Sequence, residues 1–186
     1  MSASASFRER LTFDEHRGEW RDGDARYLMI RHDSLTGMFG LLPAATRQAA
    51  LDAFAESVAS HGRRSVENYC QTAPATESLM DVIAETAAQL GWGRWRFERA
   101  AEDEIRLVVT NSPFAAGAGE AQEPVCAAVI GMLRAVGGTI FGMPAVAEEI
   151  SCAAAGRSDT CRFVVRPHTS RPERLPISGH DPPWPT

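Results

Sequence analysis

The stretch from Glu149 to Val165, EISCAAAGRSDTCRFVV, decides the fold. Two short segments, Val146 to Ala153 and Cys161 to Val165, flank a turn near Gly156-Arg157 and read as a β-hairpin. A hairpin symmetric about that turn sets Cys152 directly opposite Cys161. Opposed residues hold their Cβ atoms about 4.5–5.5 Å apart, so both sulfurs can reach one metal ion at about 2.3 Å each. Upstream, Pro124 sits where the first turn of a helix accepts it, in PVCAAVIGMLRAVGGTIFG, residues 124–142. Cys126 then lies at the positive end of the helix dipole, which favours the thiolate a metal requires. A fourth ligand is open between two residues. Glu149 precedes Cys152 by three, which in a regular strand puts them on opposite faces, so a bulge or strand end is needed to unite them. His168, just beyond the hairpin, is the competitor. Three thiolates with a carboxylate or imidazole favour Zn²⁺ over Mg²⁺ or Ca²⁺. Two other readings stand beside this one: the cysteines as small buried apolar residues, and a Cys152–Cys161 disulfide. Cys70 has no partner by spacing and reads as a core or surface residue.

Further out, Trp92 to Ala100 and Glu104 to Thr110 read as a second antiparallel hairpin around the acidic turn Ala101-Glu102-Asp103, and Asn111 to Glu123 as a Gly/Ala/Pro loop. Leu51, Phe54, Ala55 and Val58 share one helical face after Pro43, with Gly62 as a stop or kink. A second helix spans about Ala75 to Leu90, closed by Gly91 at its C′ position. Asp22-Gly23-Asp24 signals a turn, and Tyr27 to Ile30 a strand or extended arm. The order of elements predicts an α+β domain: helices packed on one face of an antiparallel sheet, with the C-terminal β-hairpin tied to a helix by a zinc site. The expected division is an N-terminal arm over 1–17, the domain over 18–166, and a Pro-rich tail over 167–186.

Composition limits the functions available. The chain has 186 residues, 44% of them hydrophobic, enough for one core. Its net charge of −5 and lack of a basic run argue against nucleic acid as a partner; all 19 basic residues are arginine. No window approaches about 18 uninterrupted apolar residues, and no signal peptide opens the chain. A cytoplasmic protein without an integral membrane segment is expected, in a compartment where thiols serve metals more often than disulfides.

Glu149 to Gly156 followed by Cys161-Arg-Phe-Val-Val resembles the C-terminal signature of the 4-vinyl reductase domain family. That family supplies the sensor domains of aromatic-responsive transcriptional activators and a stand-alone protein of bacteriochlorophyll synthesis. The resemblance implies a zinc held by Cys126, Glu149, Cys152 and Cys161, and so selects Glu149 over His168. It extends from about Glu104 to Val165, and more loosely from Gly18, where GEWRDGDARYLMIRHDSLTGMF looks like the stand-alone member. No ATPase module or DNA-binding helix pair follows, so a stand-alone domain, and by family habit a homodimer, is expected.

Three functions follow. The first is a binding or carrier protein for a hydrophobic ring ligand, a divinyl (proto)chlorophyllide-type intermediate above all. Trp92, Trp95, Phe97 and Phe114 are candidate lining, and His32 or His61 a candidate hydrogen-bond donor or axial ligand, although each also suits an ordinary structural position. The second is an 8-vinyl reductase or its accessory subunit, working with enzymes of pigment synthesis. Reduction needs a hydride source, and no G-x-G-x-x-G follows a strand. The third is a stand-alone sensor of small aromatic compounds. In every version the zinc is structural and no catalytic residue is assigned.

Overall fold

A computed structural model describes residues 5–72, 76–156 and 158–168. Helix α1 (Phe7–Arg10) leads into three short strands, β1 (Thr12–Asp14), β2 (Glu19–Asp22) and β3 (Ala25–Tyr27). Helices α2 (His32–Gly40), α3 (Ala44–Thr72) and α4 (Thr76–Gln89) follow. Then come β4 (Arg94–Ala101), β5 (Glu104–Thr110), α5 (Pro113–Ala118), α6 (Ala127–Phe141), β6 (Ala145–Ser151), a 3-10 turn (Ala153–Ala155) and β7 (Thr160–Pro167). The expected α+β class is borne out. One sheet is the meander β1-β2-β3; the other is antiparallel in the order β4-β5-β7-β6.

Alternation explains the larger sheet. Trp95, Ile105, Leu107, Val109, Phe163 and Val165 are buried on the face that α4 and α6 cover. Arg96, Arg106, Arg162 and Arg166 stand exposed on the other. Each large side chain that is fully buried here, such as Phe163 or Leu133, is worth about 2–3 kcal/mol of transfer free energy. Helix α4 ends as its sequence foretells. Gly91 is left-handed (φ 79°), the Trp92 N–H donates to the Ala87 carbonyl at 2.8 Å, and the Gly91 N–H donates to that of Ala88 at 3.1 Å.

Five local expectations are corrected. Gly62 neither stops nor kinks α3, which runs unbroken to Thr72; a Cβ there would meet Met132 Cε at 3.1 Å, so the glycine leaves room for α6. The 111–123 loop contains α5, because Ser112 caps it, accepting from the Ala115 N–H at 3.4 Å, and Pro113 opens it. Helix α6 starts at Ala127, which leaves Pro124 outside and makes Cys126 the N-cap. The arm Tyr27 to Ile30 pairs only as far as Tyr27, leaving Leu28, Met29 and Ile30 exposed; the Gly23-Asp24 turn does form, with Gly23 at φ 59°. The last hairpin is not symmetric. Ala145↔Pro167 to Glu149↔Phe163 keep one register and Ser151↔Arg162 takes the next, so Ile150 is an extra, exposed residue. The strand stops at Ser151, and Cys152 lies just past it. Arg157 of the expected turn, residues 1–4 of the expected arm, Ala75 at the expected start of α4, and the expected tail from 169 onward lie outside the described residues.

Candidate metal centre

The bulge at Ile150 is what assembles the site. An extra residue between Glu149 and Ser151 turns Cys152 back to the face that Glu149 already occupies, so a three-residue separation no longer means opposite faces. Cys161 comes from the start of β7, beside Val109 of β5, and Cys126 from the N-cap of α6. The ligand atoms of Cys126, Glu149, Cys152 and Cys161 all lie within 4.8 Å of one another, and all four residues are buried. The Cys126 and Cys161 sulfurs are 3.7 Å apart. Two thiolates on a tetrahedral ion at about 2.3 Å each stand about 3.8 Å apart, so this pair fits one edge of such a tetrahedron. All four cysteines are free thiols, which sets aside the disulfide reading.

Electrostatics favour a cation at the same point. Burial and the Cys152 sulfur push the Glu149 carboxyl up to about 8. Hydrogen bonding to Cys152 and then Cys161 raises the Cys126 thiol, while bonds from Cys126 and then Cys161 lower Cys152. Four such groups cannot all be anionic unless a positive ion lies among them; once it does, the thiols deprotonate outright. Glu149 supplies the fit test. Its Oε2 accepts the Cys126 N–H at 3.0 Å, but its buried Oε1 has no hydrogen-bond partner, which is where a metal bond would go. Backbone donors surround the sulfurs as thiolate ligands need: the Ala153 N–H points to Cys161 Sγ at 3.4 Å, and the Val125 N–H to Cys152. Ser112 Oγ lies 3.5 Å from Cys126 Sγ. Sequence reading missed this serine, although a Ser-Pro pair opening a helix was there to be seen. The residues present therefore could hold a metal ion, with four protein ligands closing its shell.

The remaining candidates fall elsewhere. Trp92, Trp95, Phe97 and Phe114 form one aromatic chain in the main core, with centroids 5.1 Å apart for Trp92–Phe114, 6.3 Å for Trp92–Trp95 and 6.0 Å for Trp95–Phe97. The Trp95 indole N–H donates to the Trp92 carbonyl at 3.1 Å. His32 opens α2, packed so near α5 that a Cβ on Gly117 would meet its Nδ1 at 2.7 Å. His61 is exposed on α3, with Nδ1 2.8 Å from the Ser57 carbonyl. His168 is exposed and is not among the clustered ligands. Cys70 is half-buried near the end of α3, against the main core.

Open space lies on the other side of the centre. A cleft of about 410 Å³ separates α2 and the start of α3 from residues 118–125. A second of about 480 Å³ continues it past Gln48, Leu51, Glu123 and Pro124 to Cys126 and Glu149. The Ala121 N–H, bonded to the Ala154 carbonyl at 2.9 Å, ties the wall of the first cleft to the turn that follows Cys152.

A sheet capped by a hairpin that converges with a helix N-terminus on three sulfurs and a carboxylate is the arrangement of a 4-vinyl reductase domain. Residues 105–167 match the model of that domain family, so the chain carries such a domain, and the resemblance read in the C-terminal motif is borne out. Among solved structures it is similar to the phenol-responsive sensory domain of the transcription activator PoxR, crystallised with phenol. The TM-score is 0.73 at 20% identity, over 88% of this chain and 91% of that one. It is also similar to trafficking protein particle complex subunit 3 from Naegleria fowleri, covalently bound to palmitic acid. There the TM-score is 0.51 at 15% identity, over 73% of this chain and 93% of that one. A vinyl-4-reductase family protein from Methanocaldococcus jannaschii gives 0.48 at 17% identity, over 77% and 84%. No curated protein matches in sequence. Among the described residues, no helix is long and apolar enough to cross a membrane.

Proposed function

We propose that this protein is a zinc-stabilised, dimeric binding protein for a hydrophobic ring ligand, with a divinyl chlorophyllide-type intermediate of bacteriochlorophyll synthesis as the specific candidate. The observation that carries the reading is the bridge made by α5. Ser112 at its cap contacts the Cys126 sulfur, and two residues on Phe114 packs edge-on against Trp92. A ligand that rearranges the aromatic chain would therefore pull on the metal centre. Zinc suits the donor set, and its closed shell makes it a staple for the hairpin and α6 rather than a reagent. A vinyl reductase would need hydride from a bound cofactor or a partner.

The likeness to a phenol-responsive sensory domain favours a second reading, a sensor of small aromatics. One titration separates the two. Micromolar chlorophyllide or Mg-porphyrin should quench the tryptophan emission and shift its own absorption, while phenol does neither. The opposite pattern establishes the sensor, and monovinyl product formed from divinyl substrate and NADPH by the isolated protein establishes the enzyme.

A further inference from the structure

We propose that the groove between α3, residues 123–127 and the end of β6 is the route by which a divalent cation reaches and leaves the Cys126–Glu149–Cys152–Cys161 cluster in the folded protein. Asp52, Glu123 and Glu148 are the carboxylates that draw it in. The inference rests on reading the cluster as a metal centre, and it concerns how the ion gets there.

Two of the four ligating residues, Cys126 and Glu149, line this cleft of about 480 Å³, whereas Cys152 and Cys161 do not, so the centre has one side turned toward solvent. At that inner end sits the buried Glu149 Oε1, which no protein group satisfies. The walls carry one sign of charge. Asp52, Glu123 and Glu148 face the cleft together with a single cation, Arg134, whose nearest carboxylate, Glu56, stands 3.8 Å away outside the lining. Glu123 and Glu148 are exposed, and among the described residues neither has a hydrogen-bond or ion-pair partner. Asp52 accepts only from the Gln48 side chain, at 2.9 Å. Leu51, Ala55, Ala127 and Ile130 add low-dielectric walls. A cleft of one sign between such walls concentrates counter-ions and raises their rate of arrival, an effect that salt suppresses. The short side chains of Ala127 and Ala147 keep the passage open.

The test follows Co²⁺ uptake by chelator-stripped, reduced protein in a stopped-flow instrument, through the thiolate-to-cobalt absorption band. Uptake by the folded chain should be first order in Co²⁺ and slow with added salt. Glu123→Gln/Glu148→Gln should slow it about threefold or more at low salt and flatten the salt dependence. The charge-matched control Glu15→Gln/Glu102→Gln, at two exposed turns away from the cleft, should behave as the unaltered protein, and all three should reach the same final absorbance. Equal rates in the two double variants overturn the proposal, as does uptake that is independent of Co²⁺ concentration and tracks global unfolding. Should the stripped chain not stay folded, release of zinc from the loaded protein to a coloured chelator is measured instead. Passage in reverse must show the same slowing in the cleft variant, and its absence overturns the route. If no thiolate band forms and no zinc is held, the metal reading itself fails, which is a separate outcome.

Discussion

Glu149 meets two requirements with one side chain. One carboxylate oxygen caps the start of α6 by accepting the Cys126 N–H, and the other is buried without a protein partner. Glu149→Gln keeps the first contact and loses the anionic ligand, so it should lower zinc content while leaving the fold in place. Cys126→Ser, Cys152→Ser and Cys161→Ser each remove a thiolate, and should lower zinc content and melting temperature together. A fall of about 10 °C corresponds to roughly 4 kcal/mol in a domain of this size. Unchanged zinc stoichiometry in all three serine variants would remove the metal centre. Glu19 poses a different test. Its buried carboxylate lies 2.7 Å from Arg21 and 3.0 Å from Arg17, which hold it below its ordinary value of 4.5, Arg21 first. Because the folded chain keeps this group ionised where the unfolded chain protonates it, the stability it adds is present above about pH 5 and is lost as pH falls through the lowered value. Glu19→Gln should therefore flatten the acid limb of a stability-against-pH curve. The ligating residues were legible at this scale because their chemistry is a property of side-chain type. The partnerless Oε1 and the Ser112 contact were not, since both depend on what neighbouring elements bring alongside.

Between elements, glycines decide how closely helices approach. A Cβ on Gly131 would collide with the Ala55 carbonyl oxygen and come within 2.8 Å of Val58 Cβ, so α3 and α6 can cross tightly only without it. Gly131→Ala should cost about 2 kcal/mol and lower the melting temperature by about 6 °C; an unchanged value would mean that the crossing relaxes freely. The apolar spacing of α3 and α4 was legible, as was the Gly91 cap, because helical periodicity and a left-handed terminus are local properties. Gly62 misled because a glycine in a helix is weak by propensity alone, and its use here is the room it leaves for Met132. The 3.6-residue rhythm could not reveal α5, six residues long, for which the Ser-Pro start was the better signal.

For the molecule as a whole, the metal centre joins parts that no other bond joins as firmly: the start of α6, the end of β6 and the start of β7. Chelation should loosen these first. Amide hydrogen exchange after zinc removal should speed up in residues 124–130 and 149–163 well before the middle of α3, where Leu51 and Ala55 are buried independently of the site. A uniform rise across the chain would show instead that the ion supports global stability without being the staple. The sequence by itself determined the α+β class, both hairpins, the three long helices and the four ligating residues, because alternation, helical spacing and thiol chemistry are written residue by residue. Only the tertiary structure decided how those residues meet. The bulge at Ile150 that places Glu149 beside Cys152, the N-terminal three-stranded meander, and the acidic groove leading to the centre all arise from register and packing between segments far apart in the chain, and local pattern carries no record of such distances.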